Sequence, residues 1–168
     1  AITSLHRLRG GISRDEFRQF VGDALARQPE LHALGLDPRV TQAERADWEK
    51  RARAEGLPDF TINERNPSGA FATAAKREEY FPVLYLEPRA GNEIMSGFDF
   101  GHDAKAGDAL RRAAETGGQV ASAPLRLPPG QYGVLVFEPV FQEQAQEGDS
   151  ASTPVLTRSA AWAISSAP

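Results

Sequence analysis

A chain of 168 residues with 40% hydrophobic and 25% charged side chains can bury one core, or two small ones, which excludes a wholly disordered segment. The formal charge of −4, with basic residues scattered rather than gathered into a stripe, argues against nucleic acid as a partner. The absence of cysteine excludes disulfides, thiol catalysis and zinc sites with cysteine ligands, and no apolar run reaches the ~20 residues of a membrane-spanning helix.

The first stretch, "AITSLHRLRGG", spaces Ile2, Leu5 and Leu8 three apart and closes on two glycines, as the last turns of a longer helix would. With no initiating methionine and no leader-like segment, the chain reads as a domain excised from a longer protein. "ISRDEFRQFVGDALARQPE" predicts the first full helix. Ser13 and Glu16 have capping-box spacing, Phe17, Phe20, Val21, Ala24 and Leu25 recur on one face, and Pro29 marks the end. "HALGLDP" is a weaker strand signal. "TQAE" predicts a second capping box, Thr41 with Glu44, opening a helix through Trp48 and Ala52 to a stop at Gly56. Asp47/Arg51 and Glu49/Arg53 lie four apart and support an exposed charged face on that helix.

"DFTINER", "EEYFPVLYLEP", "EIMSGFDF", "GQVASAPL" and "YGVLVFEPVF" read as strands bounded by glycine and proline. A third helix is expected to start near Asp103, carry Ala106, Leu110, Ala113 and Ala114 on one face, and end at "TGG". "QEQAQEGDSAS" (142–152) reads as a polar, mobile loop before a last strand in "TPVLTRSAAWAISS". The order predicts an α+β protein, an antiparallel sheet packed by helices.

The stretch "EEYFPVLYLEP" carries the main chemical signal. Alternation places Phe81, Val83, Tyr85 and Glu87 on one face and Tyr80, Pro82, Leu84 and Leu86 on the other. "LYLEP" is echoed by "LVFEP" (135–139), and a proline without an N–H is expected to end each pairing or to sit on an edge. A carboxylate beside aromatic rings suits a flat polar ligand. The competing reading pairs Glu87 with Arg89 or Arg126 and leaves Glu138 as a rim charge. His6, His32 and His102 are far apart, and Asp99, His102 and Asp103 in "GFDFGHD" lack a ligand spacing, so no metal is expected; Asp103 reads as a helix N-cap. No nucleophile elbow, S-x-x-K, Walker or G-x-G-x-x-G motif occurs, so neither catalysis nor a cofactor is expected.

"ARQPELHALGLDPRVTQAERADWEKRARAEGLPDFTINER", then "EEYFPVLYLEPRAGNEIMSGFDFG", then "GVLVFEPVF" resemble, in that order, the CHASE domain family over roughly residues 5 to 141. The resemblance implies an extracytoplasmic, periplasmic sensor of an inner-membrane receptor, set between two transmembrane helices. Its cytoplasmic output would be a histidine kinase or a cyclase such as a diguanylate cyclase. It further implies two PAS-like lobes: residues 1–12 would end a dimerising stalk helix, 13–168 would form the sensor, and a distal ligand-binding lobe would span about 58–141. In plant cytokinin-receptor members an aspartate binds the adenine-like ring and a threonine helps hold the tail. Glu87 and Ser122 fall at those positions, still polar but changed in size. The implied ligand site is Tyr80, Tyr85, Glu87, Ser122, Arg126 and Phe137, and the partner is a small molecule, with an adenine-like cytokinin among the candidates. The alternative function is a ligand-free interaction or dimerisation module of a membrane receptor.

Overall fold

The structure, a computed structural model, describes residues 12–126, 132–140 and 156–163, the last through backbone pairing alone. In chain order its elements are α1 (Arg14–Arg27), β1 (Leu31–Pro38), β2 (Val40–Thr41), α2 (Arg45–Ala54), β3 (Asn63–Arg65), β4 (Phe71–Thr73), β5 (Glu79–Tyr80), β6 (Tyr85–Glu87), α3 (Gly107–Thr116), β7 (Val120–Ala121), β8 (Leu125–Arg126), β9 (Tyr132–Val140) and β10 (Leu156–Ala163). The class is α+β. Ile2, Leu5, Leu8 and the 142–152 segment lie outside the described residues.

Of the three helices, α1 starts as its sequence predicts. Ser13 caps α1: its backbone N–H donates to Glu16 Oε2 at 2.8 Å, and Glu16 N–H donates to Ser13 Oγ at 3.3 Å. Phe17 and Val21 are its buried residues. Ahead of α2 only half of the expected box forms. Thr41 N–H donates to Glu44 Oε2 at 3.0 Å, but the Thr41 hydroxyl donates to the same carboxylate at 2.7 Å and caps no helical N–H. Asp103, expected as the N-cap of the third helix, accepts at Oδ1 from Lys105 N and Ala106 N at 3.0 and 2.7 Å in the turn ahead of α3, whose own N-cap position is Ala106 with no side-chain cap; Gly117 ends that helix at φ +70°.

One main antiparallel sheet runs in the order β6–β1–β10–β9–β7, with β8 also on β9; β2–β5 and β3–β4 form separate two-stranded ribbons. The resemblance implied two lobes; the described residues build one main sheet with a hydrophobic cluster on each face. Strands β1 and β10, from outside residues 58–141, lie in its middle. Strand β1 read weakly because both of its faces are covered: Leu31, Ala33 and Gly35 to Pro38 are all buried, so the polar alternation that marks a half-exposed strand is missing.

Between this sheet and α3 lies one cluster, which includes Ala33, Phe81, Val83, Phe98, Phe100, Leu110 and Phe137. On the side of α1 and α2 lies the other, which includes Phe17, Val21, Leu36, Ile62, Tyr80, Leu84 and Tyr85. These memberships correct the alternation read from "EEYFPVLYLEP". Tyr80, Leu84 and Tyr85 join the α1 side while Phe81, Val83 and Leu86 join the α3 side, so the phase slips between Leu84 and Tyr85. Pro82 divides the stretch into β5, paired with β2, and β6, paired with β1. After Glu87 the pairing of β6 stops, as expected, but β9 stays paired through Pro139 to Val140.

Two further strand expectations shrink for related reasons. In "DFTINER" only Asn63–Arg65 pairs as a strand, because Phe60 and Ile62 turn into the α1-side cluster. "EIMSGFDF" forms 3-10 turns at Glu93–Met95 and Phe100–His102, joined by single bridges from Phe98 to Asn63 and from Asp99 to Pro82.

Arg45 links these irregular pieces. Its Nη1 donates to the Ala74 carbonyl at 2.9 Å and to Tyr80 Oη at 3.2 Å, its Nη2 to the Ile62 carbonyl at 3.2 Å, and its Nε to Glu49 at 3.0 Å. A lysine ammonium cannot reach all four acceptors. Arg45→Lys is therefore expected to lower the free energy of unfolding in urea by about 2 kcal/mol, and a loss below about 0.5 kcal/mol would show that the carbonyls find other donors.

Candidate functional site

On the α3 side of the sheet a cavity of about 1000 Å³ opens between strand residues Ala33, Leu86, Leu125 and Leu135, the β3–β4 ribbon, and the two 3-10 turns. That is the upper end of the size range of small-molecule sites. Its floor is a chain of edge-to-face rings: Phe71–Phe98 at 5.7 Å, Phe98–Phe100 at 5.4 Å and Phe100–Phe137 at 5.5 Å. Such contacts hold ring orientation as well as burying area, so the floor is preformed. The rim is polar, with His32, Arg65, Asn66, His102, Lys105 and Arg126 on the lining.

One wall is an ion network. Asp99, 1% exposed, accepts at Oδ1 from Phe81 N–H (2.8 Å) and Gly101 N–H (3.0 Å), while Oδ2 meets Arg77 Nη1 at 3.2 Å. The second Arg77 nitrogen donates to Glu64. Burial pushes the Asp99 carboxyl above the usual range in spite of these donors. At Glu64 burial works in the same direction, but the Arg77 hydrogen bond and charge outweigh it and hold the carboxyl below the ordinary value.

The six residues expected at the site do not converge. Arg126 lines the cavity from β8, and Phe137 ends the ring chain beneath it. Tyr80 lies fully buried in the α1-side cluster, where its hydroxyl takes bonds from Arg45 and the Arg77 N–H within reach of Gln42 and the Ala75 carbonyl. Tyr85 packs 5.7 Å from Phe17 and donates to Glu55 Oε2 at 3.0 Å; burial and Glu55 both raise its phenol pKa. Glu87 accepts from the Arg89 backbone N–H at 3.1 Å and lies 3.6 Å from Arg18 Nε. Tyr85 and Glu87 line a separate crevice of about 20 Å³, room for a water rather than a ligand. Ser122 ties backbone together, accepting from Leu135 N–H at 3.0 Å and donating to the Ala123 carbonyl at 2.8 Å.

Residues the sequence reading passed over supply most of the lining. Arg65 lies over the Phe71 ring at 4.6 Å and donates to the Gly69 carbonyl at 3.1 Å. Both belong to "ERNPSGAF", whose N-P-S-G turn signal between short apolar runs is the mark of the ribbon that carries them.

A model of the CHASE domain family matches residues 10–168. The chain belongs to the CHASE domain family. CHASE domains are extracellular sensory domains of membrane signalling receptors, and the cavity lies within such a domain here. A relative in Dictyostelium discoideum, "Hybrid signal transduction histidine kinase A", is 27% identical over 94 residues, which is 55% of this chain. The matched stretch spans 4% of that protein's length. Among the described residues of this CHASE domain no helix is long and apolar enough to cross a membrane.

Proposed function

We propose that this CHASE domain binds a small molecule in the cavity over the Phe71–Phe98–Phe100 rings and transmits occupancy to the output part of its receptor, a histidine kinase or a diguanylate cyclase. The observation that carries the reading is the cavity itself, with its aromatic floor and polar rim. A ligand seated there touches β1, β6, β8 and β9 of the main sheet together with both 3-10 turns, so it favours whichever arrangement of those elements it fits better. In this proposal the receptor is anchored in the inner membrane with the domain in the periplasm, and the full-length receptor pairs as a homodimer through its stalk. The domain acts by binding, without catalysis. Of the six residues expected from sequence, Arg126 and Phe137 are carried into the site. Glu87, beside Arg18 on the other face, gives no support to ring recognition in the manner of the plant receptors.

A ligand-free interaction module is favoured by a contiguous apolar surface. Among the described residues the exposed large apolar side chains are Ile94 and Tyr132, on different elements, which is ordinary for a surface. The test is native mass spectrometry of the purified domain for a molecule carried through purification, repeated on Leu125→Trp, which fills the cavity from the edge strand β8. The wild type is expected to retain a small molecule, and the indole to lower its affinity by about tenfold or more, the effect of losing ~1.4 kcal/mol. A molecule held equally by both proteins sits elsewhere and sinks the cavity reading.

A further inference from the structure

Among the described residues the cavity lining carries three cations, Arg65, Lys105 and Arg126, and three carboxylates, Glu64, Asp99 and Asp103, so its charges balance. Two of the carboxylates are matched from behind the lining: Arg77 donates to both Glu64 and Asp99. Asp103 differs. Its Oδ1 accepts from Lys105 N–H at 3.0 Å and Ala106 N–H at 2.7 Å, while Oδ2 has no donor and the carboxylate has no cation among the described residues. The Lys105 ammonium is exposed and has no acceptor among the described residues. Arg65 gives one N–H to the Gly69 carbonyl at 3.1 Å with its guanidinium 4.6 Å over the Phe71 ring, and it pairs with no carboxylate among the described residues. The open groups are therefore of both signs, and two of them are neighbours. The bond from Lys105 N–H fixes the Asp103 carboxylate against the backbone from which the lysine stem leaves, so an acceptor for an ammonium and a donor for an anion share one turn.

From this pairing of open groups we infer that the ligand is a small zwitterion of amino-acid type with an apolar body: its ammonium meets Asp103 Oδ2, its carboxylate meets Lys105 and Arg65, and its body lies on Phe71, Phe98 and Leu86. A purely cationic head satisfies Asp103 but sets its charge beside Lys105, and a purely anionic head does the reverse; like charges held that close oppose binding. A neutral head draws water from all three charged groups and returns no opposite charge. A zwitterion completes both signs with charge-assisted hydrogen bonds and leaves the lining balanced. The inference rests on the cavity being the sensing site, and its test separates the two.

The probes share a naphthalene body and differ in the head: naphthylalanine carries both charges, naphthylethylamine the ammonium, naphthylpropanoate the carboxylate, and naphthylethanol neither. Each is titrated calorimetrically into the wild type, Asp103→Asn, Lys105→Met, Arg65→Met and Leu125→Trp, with circular dichroism confirming the fold. Naphthylalanine is expected to bind the wild type about tenfold more tightly than either singly charged probe, as one charge-assisted hydrogen bond allows, and this ranking needs no variant. Asp103→Asn keeps Oδ1 for the turn and removes the charge, so it should weaken naphthylalanine and naphthylethylamine several-fold and leave naphthylpropanoate no weaker. Lys105→Met and Arg65→Met should weaken naphthylalanine and naphthylpropanoate and leave naphthylethylamine no weaker. A singly charged or neutral probe that matches naphthylalanine on the wild type overturns the zwitterionic head while leaving the cavity in place. A charge substitution that weakens all four probes alike acts on the shape of the cavity and overturns the role given to that side chain. Binding that Leu125→Trp does not reduce, or a wild type that takes none of the four, overturns the cavity reading together with the head.

Discussion

Asp99→Ala is expected to lower the free energy of unfolding by about 3–5 kcal/mol, because it orphans two buried donors and breaks one side of a mostly buried ion network. The Phe81 and Gly101 N–H groups that Oδ1 satisfies lie in segments without regular strand pairing, and Arg77, with 20% of its side chain exposed, would keep Glu64 alone. The effect should reach the site. Asp99 joins the Phe81–Val83 segment to the turn that carries Phe100, so its loss frees one end of the ring chain under the cavity. Asp99→Asn keeps Oδ1 for the two backbone donors and loses only the Arg77 contact, where an amide N–H₂ would face a guanidinium donor. Its cost should be roughly half, about 2 kcal/mol. Urea unfolding of both variants decides this, and an alanine no worse than the asparagine would show that the two N–H groups find water.

The pH dependence of the pair has a definite sign. Burial raises the folded-state pKa of Asp99 above its unfolded value, so the folded chain holds the proton more tightly through the window between the two. Stability contributed by this group is therefore greatest below the unfolded pKa and falls as pH rises through the folded one. The advantage of the wild type over Asp99→Asn should shrink with rising pH across that window, since the asparagine carries no titrating proton. An advantage that grows instead would mean that Arg77 and the backbone donors outweigh desolvation.

The sequence made the helices legible because their signals are local. A serine, a glutamate three residues later and an apolar face dictate α1, and Gly117 ends α3, while Asp103 caps the turn ahead of that helix rather than the helix itself. Strand identity depended on what covers each strand, which is not local. The central strand β1 looked weak because it is buried on both faces, and the conspicuous "YFPVLYL" run was misphased because Pro82 breaks it and Tyr85 follows Leu84 toward α1. The site suffered most from that slip. Tyr85 and Glu87 were read as facing a cavity with Phe81 and Val83, and instead they face Phe17 and Arg18. Arg65, Phe98 and Lys105 come from the end of β3 and from two separate non-strand segments, whose approach to one another is set by single bridges and side-chain bonds, and no period of two or 3.6 encodes that.

Gly97→Ala should be a damaging single-methyl addition. Gly97 has φ +76°, costing an alanine about 1–2 kcal/mol on conformation alone. Its added Cβ would also lie 2.1 Å from the Thr61 carbonyl oxygen and 3.0 Å from Asn63 Nδ2. The first of those atoms is backbone and cannot swing aside. Gly97 N–H donates to the Val83 carbonyl at 2.9 Å and its own carbonyl accepts from Asn63 N–H at 2.9 Å, so a shift that relieves the clash strains both bonds. Overpacking against backbone together with the conformational term gives an expected loss of about 3 kcal/mol or more. Gly91 supplies the control: its φ is +83° but nothing stands within 4 Å of an added Cβ, so Gly91→Ala should lose only about 1–2 kcal/mol. Because Met95 and Phe98 flank Gly97 on the cavity lining, Gly97→Ala should also weaken retention of the small molecule seen by native mass spectrometry several-fold where Gly91→Ala does not. Equal losses of stability in the two variants would remove the close approach of Thr61 as the reason for glycine. Equal retention of that molecule would instead detach the shape of this turn from the site, leaving Gly97 as a requirement of the fold alone.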